Sequence, residues 1–319
     1  MTLTIPRLHL EGKIAGEDRH IVLSDGRKLG YSEYGAQRGL PVLAFHGTPG
    51  SRFMFRLAHE PARRLGMRII APERPGFGLS TFQRNRTLAD WASDMVEFAN
   101  YLGLKHFGVA GISGGGPYAA ACATLLPSRV TATALINPVG PLCAPEGPEE
   151  IGMTRFVMFR VLPRVNLAMQ GFFGLWRFLF LNAPDRMYDF LKKRACDEDK
   201  RILHQPEIRR NFVDSVSEGL RPGIHGIIQE MRIFCRPWNL PFDAVKAPVL
   251  LWQGMLDRNV PVPASLHLAR IIPGCELRPV EGAGHYWIFE QIEEVLKAIV
   301  QKMSEHLGTA TPVEDHVSS

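Results

Sequence analysis

The sequence predicts an α/β fold, in which a mostly parallel eight-stranded sheet carries helices on both faces and one helical subdomain is inserted. The first observation is that short apolar runs of strand length alternate with helical patterns along most of the 319 residues. The second is that the run at 41–45 is apolar throughout, which is typical of a strand buried in a parallel sheet. The third is an interruption: over residues 138–246 helical periodicity continues without strand runs.

The eight predicted strands begin with a hairpin, because the first two flank the turn Ser24-Asp25-Gly26. The strands are expected over residues 19–23, 28–34, 41–45, 68–71, 107–112, 130–136, 249–252 and 276–280. Helices between and after them are expected over residues 87–102, 114–126, 264–271 and 288–303. This order of elements is that of a sheet with crossover helices.

Four parts of the chain follow from this alternation. The core is expected to comprise residues 19–137 and 247–305, separated by a helical lid over residues 138–246. Residues 1–18 carry scattered charges and are expected to form a surface arm. The polar end, residues 306–319, is expected to be a flexible tail.

Composition excludes several classes of protein. With 45% hydrophobic and 22% charged residues the chain is not disordered, and its net charge of +5 arises from interleaved charges without a basic run, so no nucleic-acid partner is expected. Five cysteines, odd in number and without a C-x-x-C pair, fit neither a disulfide framework nor a zinc site. We therefore expect a cytoplasmic protein without a metal site, and the activity predicted below requires no other cofactor.

Membrane insertion is not expected either. The N-terminus lacks the uninterrupted apolar segment of a secretory signal. The most apolar stretch, residues 151–181, contains Arg155, Arg160, Arg164 and Arg177, too many charges for a spanning helix. Weak peripheral contact of this stretch with an anionic membrane stays open.

A candidate nucleophile follows the fifth predicted strand. The pattern Gly111-Ile112-Ser113-Gly114-Gly115 leads directly into a helix, and such a tight turn exposes the serine hydroxyl at the end of the sheet. Ser113 is thus the candidate nucleophile. The Gly114 amide at the helix N-terminus is a candidate donor to an oxyanion. Glycine-rich turns often contain serine for structural reasons alone, so the pattern needs partners.

Those partners are present in the expected chain order of serine, acid and histidine. Asp257 follows the strand at 249–252, and His285 follows the strand at 276–280, so both lie at carboxyl ends of strands. His285 is the candidate base and Asp257 its partner. Asp243 and Glu281 are the competing acids, and the alternative role for Asp257 is to cap the next helix.

A fourth segment, His46-Gly47-Thr48-Pro49-Gly50, follows the strand at 41–45. Its tight loop can point the Thr48 amide at the same developing oxyanion. His46 is expected to hold this loop by hydrogen bonding and not to transfer protons. A fifth segment, from Glu73 to Ser80, is expected to be a structural loop with fixed turns.

Together these five segments resemble those of the α/β-hydrolase fold family, in its serine hydrolase branch with a helical lid, over nearly the whole chain. The resemblance implies Ser113 as nucleophile, His285 as general base, Asp257 as its partner, and the Thr48 and Gly114 amides as oxyanion donors. Two departures are visible: Glu73 stands where many members carry aspartate, and glycine follows Ser113 where the proline-iminopeptidase branch has a bulky residue. The serine at position 113 also argues against dehalogenases and epoxide hydrolases.

The predicted activity is hydrolysis of a carboxylic ester of a small to medium apolar substrate through an acyl-enzyme. Amide or peptide, lactone, thioester and carbon–carbon bonds remain alternatives for the same residues, as does a ligand receptor without catalysis. The predicted lid contains a cluster of aromatic residues, namely Phe156, Phe159, Phe172, Phe173, Trp176, Phe178 and Phe180. They either pack the lid onto the core or, at Phe172, Phe173 and Trp176, line a pocket for an apolar acyl or aromatic group.

Overall fold

The eight predicted strands form one sheet in the computed structural model, which describes residues 16–142, 157 and 161–308. The strands are β1 (Arg19–Val22), β2 (Lys28–Gly35), β3 (Leu40–Phe45), β4 (Met67–Pro72), β5 (Phe107–Ile112), β6 (Val130–Ile136), β7 (Val249–Gly254) and β8 (Glu276–Val280). Their order across the sheet is β1-β2-β4-β3-β5-β6-β7-β8. Only β2 pairs antiparallel, with β1 and β4, so the prediction of a mostly parallel sheet is confirmed.

Helices connect the strands and continue after the last one. Those described are α1 (His59–Arg64), α2 (Leu88–Tyr101), α3 (Gly116–Leu125), α4 (Asn166–Asn182), α5 (Pro184–Arg194), α6 (Asp197–Ile202), α7 (Pro206–Leu220), α8 (His225–Phe234), α9 (Val262–Ile271) and α10 (Ile288–Leu307). Helices α4 to α8 follow β6 and precede β7, and we call residues 138–246 the insertion. No helix among the described residues is long and apolar enough to cross a membrane.

The C-terminal helix extends further than the sequence pattern indicates. It ends at Leu307, two residues inside the segment predicted as a tail, and Gly308 closes it with a left-handed φ of 65°. Residues 309–319 and the arm before residue 16 lie outside the described residues.

The centre of the sheet is buried on both faces, because strands β3, β5, β6 and β7 are almost entirely buried, whereas the edge strands β1 and β8 are partly exposed. Leu43 and Phe45 of β3 pack into a cluster with α2 and α3, whereas Val42 and Ala44 face a second cluster with α1 and α10. Helices therefore cover both faces, as the sequence predicts.

The order of the strands determines where a site can form. The chain leaves β3 toward β4 on one side and returns as β5 on the other, with Phe45 of β3 in register with Gly111 of β5. The loops after β3 and β5 therefore meet at the carboxyl edge of the sheet, at a topological switch point. These loops carry Thr48 and Ser113.

The loop after β4 is held by a buried carboxylate. Glu73 accepts hydrogen bonds from the Leu79 amide at 2.6 Å and from Arg52 Nη1 at 2.6 Å. Gly78 is required opposite it, since φ is 50° and a Cβ there would lie 2.0 Å from Glu73 Oε1. Arg52 also contacts Glu218 of α7 at 2.7 Å, which ties the insertion to the core. Glu73 thus has a structural role, as expected.

Candidate active site

Ser113 occupies a strained turn between β5 and α3. Its φ is 54°, in the left-handed region that a residue with a Cβ adopts at a cost. The turn closes only with glycine on both sides: a Cβ at Gly111 would lie 2.4 Å from the Gly115 carbonyl oxygen, and one at Gly115 would lie 2.1 Å from the Phe45 carbonyl oxygen. The G-x-S-x-G pattern is therefore a requirement of close backbone packing around the serine.

His285 and Asp257 are brought together from loops 28 residues apart, with 2.6 Å between His285 Nδ1 and Asp257 Oδ2. A carboxylate only accepts, so Nδ1 carries the proton and Nε2 of the neutral ring is left as the base. The second carboxylate oxygen, Oδ1, accepts the amides of Asn259 at 2.7 Å and Val260 at 3.0 Å. Asp257 thus contacts the histidine and also closes its own turn, whereas the next helix begins after Pro261 without a side-chain cap.

The backbone of the histidine loop is held as firmly as its ring. Asn137, just after β6, donates from Nδ2 to the His285 carbonyl at 2.8 Å. Its Oδ1 accepts from the Gly254 amide at 2.8 Å and from Trp287 Nε1 at 3.1 Å. Asn137 is fully buried and has a φ of 42°. This one amide side chain connects the ends of β6 and β7 to the loop that follows β8.

The two residues whose amides are the predicted oxyanion donors lie against each other. A Cβ on Gly114 would be 2.1 Å from Thr48 Oγ1, so only glycine allows the loop after β3 to approach the turn at Ser113 so closely. Within the described part of the chain, neither the Thr48 nor the Gly114 amide donates to a protein acceptor. Two backbone donors without a protein acceptor can stabilise negative charge on a bound carbonyl oxygen if both point at it.

A buried ionic network supports the loop that carries Thr48. Thr48 Oγ1 and Arg74 Nε both donate to Glu230 of α8, and Arg86 Nη2 donates to the same carboxylate at 3.1 Å. Arg74 Nη2 also donates to the Gly47 carbonyl at 3.2 Å. Burial raises the pKa of Glu230, but the charges of Arg74 and Arg86 lower it by a larger amount. The pKa of Glu230 therefore lies below its ordinary value. The insertion thereby helps to fix the loop that carries Thr48.

His46 takes part in the same support. Its Nδ1 lies 2.8 Å from the Gly47 carbonyl oxygen and must donate, while Nε2 accepts the Arg74 amide at 3.4 Å. Burial, and after it the charge of Arg74, holds the pKa of His46 well below its ordinary value. A neutral ring with both nitrogens engaged does not transfer protons, so His46 holds the loop, as expected.

A cavity of about 470 Å³ connects these elements to the insertion. Ser113, His285 and Thr48 line it, and so do the three aromatic residues proposed to bind substrate, namely Phe172, Phe173 and Trp176. Phe178 instead is 60% exposed, whereas Phe180 is buried in a separate cluster of the insertion. Phe156 and Phe159 lie outside the described residues.

The environment of His285 sets the pH dependence of a reaction that uses it as a base. Burial lowers the pKa of His285, but the charge and hydrogen bond of Asp257 and the charge of Asp199 raise it more, so the net pKa lies above the ordinary value of 6.5. Only the neutral ring accepts a proton. We expect kcat/KM for an activated ester to rise with pH through one ionisation with a midpoint above 6.5, measured by initial rates in constant-ionic-strength buffers. A flat profile between about pH 5 and 8 would exclude histidine base catalysis.

Three contributors to the site have no signal in the sequence motifs. Asp199 of α6 accepts the amides of His285 and Tyr286, Glu230 accepts from Thr48, and Asn137 holds the His285 carbonyl. Asp199 belongs to the acidic run Asp197-Glu198-Asp199, which on a sequence is indistinguishable from a solvated first turn of a helix. Nothing in the local pattern of any of the three indicates burial at a distant loop.

A mostly parallel sheet of this strand order, with serine at the turn after β5 and an Asp–His pair after β7 and β8, defines the α/β-hydrolase architecture. The family model described as "Alpha/beta hydrolase family" matches residues 42–298, and the chain belongs to that family. The resemblance to the α/β-hydrolase family, inferred from the motifs, is thereby confirmed.

The chain is similar to several curated relatives and solved structures. A 2-hydroxymuconate semialdehyde hydrolase of Pseudomonas putida is 24% identical over 89% of this chain and 93% of its own length. A non-heme chloroperoxidase of Streptomyces lividans is 29% identical over 83% and 92% respectively. The structure of a thermophilic esterase from Thermogutta terrifontis superposes with a TM-score of 0.65 at 24% identity, covering 91% of this chain and 99% of that one. At this identity the structural likeness shows the fold alone.

Proposed function

We propose that the protein is a serine hydrolase that cleaves a carboxylic ester of a small to medium apolar substrate. The observation that carries the proposal is the arrangement around one cavity. Ser113 on a strained turn, His285 bound to Asp257 and the Thr48 loop all face the same space, whose other lining is mainly apolar. This combination activates a serine, stabilises an oxyanion and binds an apolar group.

The mechanism follows from these positions. His285 Nε2 takes the proton of Ser113 as Oγ attacks the ester carbonyl, and the Thr48 and Gly114 amides stabilise the negative oxygen. His285 then gives the proton to the departing alcohol, which leaves an acyl-enzyme on Ser113. Water, deprotonated by His285, releases the acid and restores the serine. Asp257 holds the ring and stabilises its protonated form throughout.

The bond cleaved is tested by a substrate panel. Matched p-nitrophenyl esters, anilides, thioesters, a lactone and a vinylogous diketone distinguish ester from amide, thioester, lactone and carbon–carbon hydrolysis. The last arm is included because one relative carries the name 2-hydroxymuconate semialdehyde hydrolase. A kcat/KM for esters at least tenfold above that for every other class supports the proposal. A higher kcat/KM for another class would show that the enzyme cleaves that type of bond instead. Absence of turnover and of active-serine labelling would leave a ligand receptor.

The insertion is proposed to act as the lid that forms the acyl pocket, and Trp176 tests this. Trp176 lines the cavity but also packs on Phe180, with ring centroids 4.9 Å apart. If it binds the acyl group, Trp176→Ala changes the kcat/KM ratio between hexanoyl and acetyl esters by about tenfold, since each buried methylene is worth about 0.8 kcal/mol. The measurement is the acyl-chain profile together with the melting temperature.

Phe178→Ala is the matched control for Trp176→Ala, because Phe178 is on the same helix, is 60% exposed and does not line the cavity. We expect Phe178→Ala to leave the chain-length ratio unchanged. A Trp176→Ala enzyme with an unchanged ratio and a lowered melting temperature would show that the aromatic side chain only packs the insertion.

The charges that line the cavity predict a preference among esters. Among its described lining residues Arg194 and Arg258 are cationic and no Asp or Glu is present. We expect an ester with a terminal carboxylate on its acyl chain to have a higher kcat/KM than its neutral isostere. Arg258→Gln should reduce this ratio of kcat/KM values by about two- to fivefold, the effect expected for an exposed ion pair. Arg186→Gln removes the same charge from an exposed position outside the lining and is the control. Equal effects of both variants would show a general charge effect.

A further inference from the structure

A carboxylate of the insertion binds the loop that carries the candidate base. Asp199 of α6 accepts from the His285 amide through Oδ2 at 2.8 Å and from the Tyr286 amide through Oδ1 at 2.9 Å. Asp199 is only 1% exposed, and 86 residues separate it from His285. A buried carboxylate that bridges two consecutive amides fixes the backbone on which the imidazole is mounted.

The approach of this carboxylate depends on the glycine before the histidine. A Cβ at Gly284 would lie 2.0 Å from Asp199 Oδ2 and 2.5 Å from Cys196 Sγ. The Gly284–His285 segment is thus shaped to receive the N-terminal turn of α6. This contact is separate from the Asp257 hydrogen bond, because Asp199 binds backbone and Asp257 binds the ring.

We propose that Asp199 is a positioning residue of the hydrolytic site, through which the insertion orients His285 and places a second negative charge beside its imidazole. The proposal rests on the proposed function for its effect on turnover, but its geometric content is independent of the substrate. It makes the insertion a part of the catalytic machinery as well as a cover for the cavity.

The backbone contacts explain the orientation. The His285 amide is held by Asp199 and its carbonyl by Asn137, while Nδ1 is held by Asp257. With one bond at each end of the residue and one on the ring, neither a shift of the backbone nor a rotation of the ring is possible without breaking a buried hydrogen bond. Of these three bonds, loss of Asp199 breaks only the one at the His285 amide, because the insertion supplies the acceptor for that bond alone.

The second effect proposed for Asp199 is electrostatic, and it depends on the charges around His285. The described ionisable groups that face it or its loop are Asp257, Asp199, Tyr286, Cys196 and the two cations of the cavity lining, Arg194 and Arg258. The Tyr286 ring meets the imidazole edge-on, with ring centroids 5.3 Å apart, and the buried Cys196 thiol lies against Gly284. Burial raises the pKa of both Tyr286 and Cys196, so neither adds a charge near neutral pH. Asp257 and Asp199 are the two groups that stabilise the imidazolium.

The test replaces Asp199 with asparagine, which removes the charge and one acceptor at nearly constant shape. We expect the midpoint of the kcat/KM profile to fall by about one pH unit, because one of the two negative charges that stabilise the imidazolium is lost. We expect kcat to fall by about tenfold with KM nearly unchanged, because the base is misoriented in the transition state. Asp197→Asn, two residues away on the same helix with a side chain 97% exposed, loses the same charge and should change neither value.

The His285 imidazole titration, followed by NMR with ¹³C-labelled histidine and assigned by its absence in His285→Gln, reports the same pKa without turnover. It separates failure of this proposal from failure of the proposed function. An unchanged midpoint and kcat in folded Asp199→Asn, or an equal shift in Asp197→Asn, would overturn the positioning role. Asp199→Ser is the second variant should asparagine not fold, and a wild-type His285 that titrates below its ordinary range overturns the proposal without any variant.

Discussion

Replacing Ser113 with alanine is expected to lower kcat for an activated ester by about 10⁴-fold or more, because no acyl-enzyme can form without the hydroxyl. The left-handed turn at Ser113 is held by the close contacts of Gly111 and Gly115, which alanine retains. The variant should therefore fold with a melting temperature near that of the wild type. The residual rate measures what the oxyanion donors and the cavity achieve alone.

Fluorophosphonate labelling gives the same prediction a covalent readout. Only a serine beside a base and an oxyanion site reacts rapidly, so wild-type protein should be labelled once, on the peptide that contains Ser113. Ser93→Ala, at an exposed position of α2, is the control and should label like the wild type. Labelling that persists in Ser113→Ala would remove Ser113 from the nucleophile role and, with it, the proposed mechanism.

The architecture could be predicted because its signals are local. Each predicted strand matches an observed one to within two residues at either end, since apolar runs bounded by Gly, Pro and Asp report burial in a sheet directly. For the C-terminal helix the sequence pattern predicts an end at residue 303, but the helix continues to Leu307. Its final turn is polar and gives no periodic signal, and the stop is set by Gly308 in a left-handed conformation.

In the site, too, only the residues with a local sequence signal could be predicted. Ser113, Asp257, His285 and Thr48 follow strands directly, so chain order and strand ends alone predict that they share one edge of the sheet. Asp199 and Glu230 contact the same loops from helices of the insertion, at separations of 86 and 182 residues. A carboxylate on a helix looks alike in sequence whether it is solvated or buried against a distant amide, and only tertiary packing distinguishes the two.

Asp257→Asn is expected to lower kcat by about 10⁴-fold while leaving the fold intact. The asparagine oxygen can still accept the Asn259 and Val260 amides, so the turn after β7 is retained. The amide nitrogen, however, then meets His285 Nδ1 as a donor. The ring responds by moving its proton to Nε2, where it can no longer accept the proton of Ser113.

The controls for Asp257→Asn are Asp243→Asn and Glu281→Gln, since both acids flank strands but are exposed in the structure. Each should keep activity within about twofold of the wild type, because neither contacts the imidazole. Initial rates across pH separate the cases, since a wrong tautomer lowers the plateau at every pH, whereas loss of a remote charge only shifts the midpoint. Near-normal turnover in Asp257→Asn together with inactivation by either control substitution would transfer the role of histidine partner to that acid.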